Sequence, residues 1–82
     1  MDLEITVIDL IKANIEKKYA VSLESDLRTD LEVDSFGTIM IVNAIEDEFD
    51  IEVEQADIPT LVRVSDIVSL LRDKYLVEAA RS

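Results

Sequence analysis

Asp30-Leu31-Glu32-Val33-Asp34-Ser35-Phe36 runs into Gly37-Thr38-Ile39-Met40-Ile41-Val42-Asn43-Ala44-Ile45-Glu46-Asp47-Glu48-Phe49, and the change of character between the two runs decides how the chain folds. The first mixes acids with single aliphatics and has no helical period. In the second, Thr38, Ile41, Val42, Ile45 and Phe49 recur at three- and four-residue spacing, the stripe of an amphipathic helix over 35–49. Asp34 and Ser35 stand at the junction. Their short oxygens can accept the unpaired N–H groups of a first turn, so the pair reads as a helix start. Acids collect in the last turns of this helix, where they oppose its dipole at a cost of roughly a few tenths of a kcal/mol each, which points to a use other than helix stability.

Working outward, Leu3, Val7, Ile8, Ile11, Ile15 and Tyr19 keep helical spacing while Asp9, Lys12, Glu16 and Lys17 fall on other faces, predicting a first helix over about 3–19. Residues 20–34 break the period and read as a long loop, pinned to the core by Val21, Leu23, Leu27, Leu31 and Val33. After the central helix, Pro59 limits any helix over 55–61 to one or two turns, because it cannot donate a helix hydrogen bond; this segment is expected to be the mobile one. Ser65 and Asp66 are placed to cap a last helix over 65–76, carried by Val64, Ile67, Val68, Leu71 and Tyr75. The fold class predicted is all-α: a small antiparallel bundle of three main helices and one short one.

Composition supports one helical domain. Eighty-two residues bury only about 60–65% of their unfolded surface, which leaves no second core. The apolar residues are mostly Ile, Leu and Val, with two Phe, two Tyr and no Trp, so the core is aliphatic; one Gly and one Pro disfavour a turn-rich sheet protein. No apolar run approaches the ~18 residues of a membrane span, and the N-terminus lacks the positive start and small-residue cleavage site of a signal peptide. A cytoplasmic monomer without stable membrane insertion is expected.

Charge is spread very unevenly. Between Arg28 and Arg63 there are ten acids and no base, so nearly all of the net −11 lies in the middle of the chain. Such a field repels nucleic acid and anionic membranes and steers basic protein patches into encounter. A solvated face that merely keeps the protein soluble is the alternative.

Enzyme chemistry finds little to work with. There is no His and no Cys, so the usual base and nucleophile pairs are missing, and Ser35 has no evident activating base. A single Gly excludes phosphate-cradling glycine loops. The stretch from Glu46 to Glu54 lacks the turn Gly of a calcium loop, so no metal site and no catalytic residue is predicted.

The order of elements, with Asp30-Leu31-x-x-Asp34-Ser35-Phe36 before the central helix and Ile45-Glu46-Asp47-Glu48-Phe49-Asp50-Ile51 at its end, resembles the acyl carrier protein family over nearly the whole chain. The resemblance implies 4'-phosphopantetheine, derived from coenzyme A, joined covalently to Ser35, with Asp34 helping to hold the metal and the serine during transfer. It implies a carrier in fatty acid, lipid or polyketide-type biosynthesis, whose partners are a phosphopantetheinyl transferase and acyl-loading and acyl-transfer enzymes with basic docking patches.

Departures from the family pattern bear on partners. Asp34-Ser35-Phe36-Gly37-Thr38 is similar to the D-alanyl carrier proteins, whereas Asp57-Ile58-Pro59-Thr60-Leu61 is closer to ordinary acyl carriers. A Gly usual in the family before the motif's second Asp is Glu32 here, and an acid usual in fatty-acid carriers is Met40. Phe36 and Met40 either form an apolar partner spot beside the arm, with Glu46 and Asp47 as charged contacts farther on, or fold inward. A D-alanyl or aminoacyl carrier, and an unmodified acidic interaction module, stay open as alternatives.

Overall fold

The computed structural model describes residues 2–15 and 20–76. They form a small helical bundle. Helix α1 spans Leu3–Asn14 and α2 spans Ser35–Phe49; a short 3₁₀ helix, Gln55–Thr60, follows; α3 spans Val64–Leu70 and widens into a π turn at Leu71–Tyr75. Helix α1 packs on both α2 and α3.

Helix α1 begins at Asp2, whose carboxylate accepts the Ile5 N–H at 3.2 Å. It stops earlier than the helix over 3–19 that periodicity predicts. Ile15 is extended, at φ −108° and ψ 147°. In the last turn the Asn14 side-chain amide donates to the Leu10 carbonyl at 2.8 Å. Ile15 still packs against the core, whereas Glu16, Lys17 and Tyr19 lie outside the described residues.

Buried aliphatics from every major element make one core: Val7 and Ile11 from α1, Leu27, Leu31 and Val33 from the loop, Ile41 and Ile45 from α2, and Val64, Ile67, Val68 and Leu71 from the last helix. The loop earns its order from more than apolar anchors. Leu27 N–H donates to Val62 O at 2.9 Å, Val64 N–H to Ser25 O at 3.1 Å, and Ser65 N–H to Leu23 O at 2.9 Å, a short β-like seam beside α3. Within it, Asp26 accepts the Arg28 and Thr29 amides at 2.9 Å each. Chiefly through the Thr29 amide, these bonds hold its carboxyl below the usual range.

The start of α3 corrects the cap assigned to Ser65 and Asp66. The helix begins one residue earlier, at Val64. Asp66 sits in its first turn and reaches back to accept the Val62 and Arg63 amides at 3.0 and 2.8 Å. Ser65 gives its amide to the loop instead. No helix among the described residues is long and apolar enough to cross a membrane.

Candidate functional site

The head of α2 is built by residues just before it. Leu31 and Val33 are buried on the core, and Glu32 between them takes a left-handed conformation, φ 54°. That reversal follows the turn over 26–31 and lets Val33 N–H return to Leu27 O at 2.8 Å. At this position the backbone demands what Gly gives freely.

Asp34 is the N-cap. Its Oδ1 accepts the Gly37 N–H at 2.7 Å, and its carbonyl accepts the Thr38 N–H at 2.9 Å and the Thr38 hydroxyl at 3.0 Å. Ser35 is therefore not the cap. It is the first helical residue, exposed, with its hydroxyl left out of the capping bonds. Unpaired N–H groups and the positive end of the dipole make this an environment that tolerates an anion. Gly37 is where the turn is tightest. A Cβ there would sit 3.0 Å from Val33 Cγ1 and 3.3 Å from Asp34 Oδ1, pressing on the buried anchor and on the capping oxygen at once.

Phe36 and Met40 point outward: 70% of Phe36 and 41% of Met40 is exposed, with Ile39 beside them at 48%. This decides against the reading in which they fold inward. Phe36, Gly37 and Met40 border an open groove of about 480 Å³ floored by Leu31 and Val33, with Asn14 and Ile15 at the end of α1 opposite. A second groove, about 320 Å³, lies between Thr38 and the segment Pro59, Leu61 and Val62.

The two acids expected to meet partners divide. Asp47 is exposed. Glu46 is half-buried, and its Oε2 accepts the Val53 N–H at 2.9 Å, while its carbonyl accepts the Ile51 N–H at 3.1 Å. Glu46 thus folds the chain back after α2, a structural use of one of the acids that oppose the helix dipole. Among the described residues no cluster of three or more His, Cys, Asp or Glu could hold a metal ion.

Sequence reasoning missed a polar clasp on the short helix. Lys74 Nζ donates to Asp57 Oδ2 at 2.7 Å and to Glu54 Oε2 at 2.9 Å. The Tyr75 hydroxyl donates to Asp57 Oδ2 at 2.6 Å and accepts the Glu54 N–H at 2.8 Å. The ammonium and phenol beside Asp57 hold its carboxyl below the usual range. The bonds to Asp57 and Glu54 raise the Lys74 ammonium above the ordinary lysine value, and burial and then the Asp57 bond raise the Tyr75 phenol. The available signal was Glu54 and Asp57, three residues apart at the start of a two-turn 3₁₀ helix, and the adjacent Lys74 and Tyr75; the π turn that aims the latter pair has no sequence signature. The segment expected to be mobile is thereby tied to the last helix.

Comparison with known proteins gives a consistent result. A family model described as a phosphopantetheine attachment site matches residues 5–72. The chain is similar to an acyl carrier protein of Rickettsia bellii, 33% identical over 73 residues, covering 88% of this chain and 85% of that one. It is 34% identical over 53 residues to an acyl carrier protein of Campylobacter lari, covering 65% of this chain and 69% of that one. An acyl carrier protein of Campylobacter jejuni is 27% identical over 70 residues, covering 85% and 87%.

Proposed function

This chain belongs to the phosphopantetheine attachment family of carriers, and from that membership we propose that Ser35 is the residue that bears 4'-phosphopantetheine and that the domain carries acyl groups between enzymes. One observation supports the position above others: Ser35 is exposed at the first turn of α2 while Asp34, not Ser35, caps the helix. A side chain with no capping duty can be modified without unmaking the turn. The residues fit the group: a phosphodiester on Ser35 would lie against the N-terminal amides of α2, with Asp34 the carboxylate nearest in sequence for the transfer step. The chain has no Cys, so the arm, when bound, supplies the thiol on which a thioester forms.

The chain is a carrier rather than an enzyme; what its own residues do is hold and present. Apolar surface at Phe36 and Met40, and the carboxylates of exposed Asp47 and half-buried Glu46, form the side offered to partners in this reading: a phosphopantetheinyl transferase and acyl-handling enzymes with basic patches. The cargo proposed is an acyl group of fatty acid, lipid or polyketide-type biosynthesis, handled in the cytoplasm by the monomer. Linking cargo to a docking surface raises its effective concentration in each partner's active site.

The test is intact mass after incubation with coenzyme A, magnesium and a broad-specificity phosphopantetheinyl transferase. One phosphopantetheine addition to the wild type and none to Ser35→Ala is the expected result. Since Ser35 is not the cap, the substitution changes stability by only about 0.5 kcal/mol or less. No addition to a folded wild-type chain would overturn the reading in favour of an unmodified acidic module.

A further inference from the structure

An acyl chain borne on Ser35 either lies in water beside the carrier or is taken in among its helices, and the walls around the head of α2 bear on which. One groove there faces α1 and the other faces Pro59, Leu61 and Val62. Going deeper than either means moving a wall. Helix α1 is held by packing, with Val7 and Ile11 fully buried. The short helix Gln55–Thr60 has no buried residue, so it is the wall that apolar contact holds least.

Polar bonds hold it instead, at both ends. Before and within it, Glu54 and Asp57 are bound by Lys74 and Tyr75. After it, the Val62 carbonyl accepts the Leu27 N–H, and the Val62 and Arg63 amides are taken by Asp66. Segment 54–63 is thus fixed against two different elements, the last helix and the long loop. In the core, Ile41, Ile45, Val64, Ile67, Val68 and Leu71 are 0–3% exposed. All but Leu71 are β-branched and stiff at χ1, and a close-packed interior of that kind admits added methylenes only by straining. Met40, the adaptable side chain of α2, is on the outside.

We propose that the clasp selects the cargo: with the short helix locked to the last helix, this carrier keeps its acyl group outside the bundle and serves polar acyl groups or short ones, of about four carbons or fewer, which lose little by staying in water. The proposal rests on the reading of Ser35 as the arm-bearing residue. Chain length decides because the gain from burial grows with every methylene, whereas opening the clasp costs the same for any chain. A two-carbon or hydroxylated acyl group gains little from shelter. An eight-carbon chain has much to gain, and on this carrier it stays exposed, so a partner meets the thioester without first drawing the chain out of the bundle.

The experiment installs unacylated, acetyl, butyryl and octanoyl arms from the matching forms of coenzyme A with a broad-specificity phosphopantetheinyl transferase, and checks each by intact mass. Two readouts follow: Tm, and the rate at which hydroxylamine cleaves the thioester, divided by its rate on the free acyl-coenzyme A. On the wild type the normalised rates should agree within about twofold and Tm within about 1 °C across chain lengths. Lys74→Met, Tyr75→Phe should slow octanoyl cleavage about fivefold or more relative to acetyl, and octanoyl but not acetyl should raise its Tm by a few degrees. Tyr75→Phe alone should show the same change in smaller degree. Arg72→Met, an exposed cation of the same turn outside the clasp, should match the wild type. Circular dichroism checks each fold, and amide exchange at 57–61 reports release of the short helix. Protection of octanoyl on the wild type, by slower cleavage or raised Tm, would overturn the proposal. So would folded clasp variants that leave that exchange unchanged or that give octanoyl no protection. Failure of a folded wild-type chain to take any arm would instead overturn the Ser35 reading, and this one with it.

Discussion

At the head of α2, one carboxylate serves the backbone and the side chains that follow it face solvent; at the short helix, two carboxylates, an ammonium and a phenol are bound to one another. Asp34 gives its oxygen to Gly37 N–H, and Ser35, Phe36, Ile39 and Met40 are left outward. Glu54, Asp57, Lys74 and Tyr75 form a closed set in which the Asp57 carboxylate is only 19% exposed. The first arrangement fixes a backbone and leaves its surface open for contact. The second uses its polar groups up internally, as a structural tether does. In this chain the groups with perturbed acidity at the short helix mark a clasp rather than an open surface.

Breaking the clasp should have the largest effect on local structure. The π turn matters here, since its i→i+5 bond, Leu76 N–H to Leu71 O at 2.7 Å, winds less per residue and brings successive side chains toward one face. The double variant Lys74→Met, Tyr75→Phe leaves Glu54 N–H without its hydroxyl acceptor. Amide exchange at 57–61 should accelerate strongly while amides at 35–40 keep their protection; equal acceleration in both would show that the two regions are one unit. The pH dependence has a definite sign. Asp57 is held below 3.8 in the folded chain, so its contribution is present above that value and lost as pH falls through the lowered folded one. Lys74 is raised above 10.5 and Tyr75 above 10.0, so theirs are present below those values and lost as pH rises through the folded ones. The clasp therefore holds across neutral pH, and urea unfolding of the double variant should show a flatter acid limb than the wild type.

At the other region, Asp34→Ala removes the cap and should cost about 1 kcal/mol, a drop in Tm of about 4–8 °C. Asp34→Asn sharpens the comparison, because an amide oxygen still caps α2. It should keep Tm near wild type yet load phosphopantetheine poorly if the charge of Asp34 serves the transfer step. Loading at the wild-type rate would confine Asp34 to capping.

Much of this region was legible in the sequence. The stripe Ile41, Val42, Ile45 announces which face of α2 is buried, and an Asp-Ser pair before it announces the turn, because both signals depend on residues within a few positions of each other. The direction of Phe36 and Met40 was not, since an apolar side chain at the edge of a stripe is compatible with either side until α1 and the loop are in place. The backbone bond of Glu46 was hidden for a related reason: its partner is an amide seven residues on, which no pattern of side chains reveals. The clasp joins residues 17 to 21 apart through a π turn, and the apolar spacing that runs on past Asn14 hides the end of α1. Each of these depends on contacts that exist only once the chain is folded.

Glu32 offers the smallest effect and the finest test of how far the open end is held by strain. A non-glycine residue at φ 54° carries a backbone cost of roughly 1–2 kcal/mol, and Gly there gives part of it back through the greater freedom of the unfolded chain. Glu32→Gly should therefore stabilise by about 0.5 kcal/mol, a rise in Tm of a few degrees in thermal melts. Asp50, left-handed at φ 55° after α2, is the internal comparison: Asp tolerates that region better than Glu, so Asp50→Gly should gain less. The loading rate then distinguishes two uses of Glu32. Higher Tm with unchanged loading makes the left-handed residue a turn and nothing more. Higher Tm with slower loading means that a stiff, strained approach through Leu31 and Val33 holds Ser35 where the transferase needs it, and that Gly, by relaxing the turn, loosens the serine along with it.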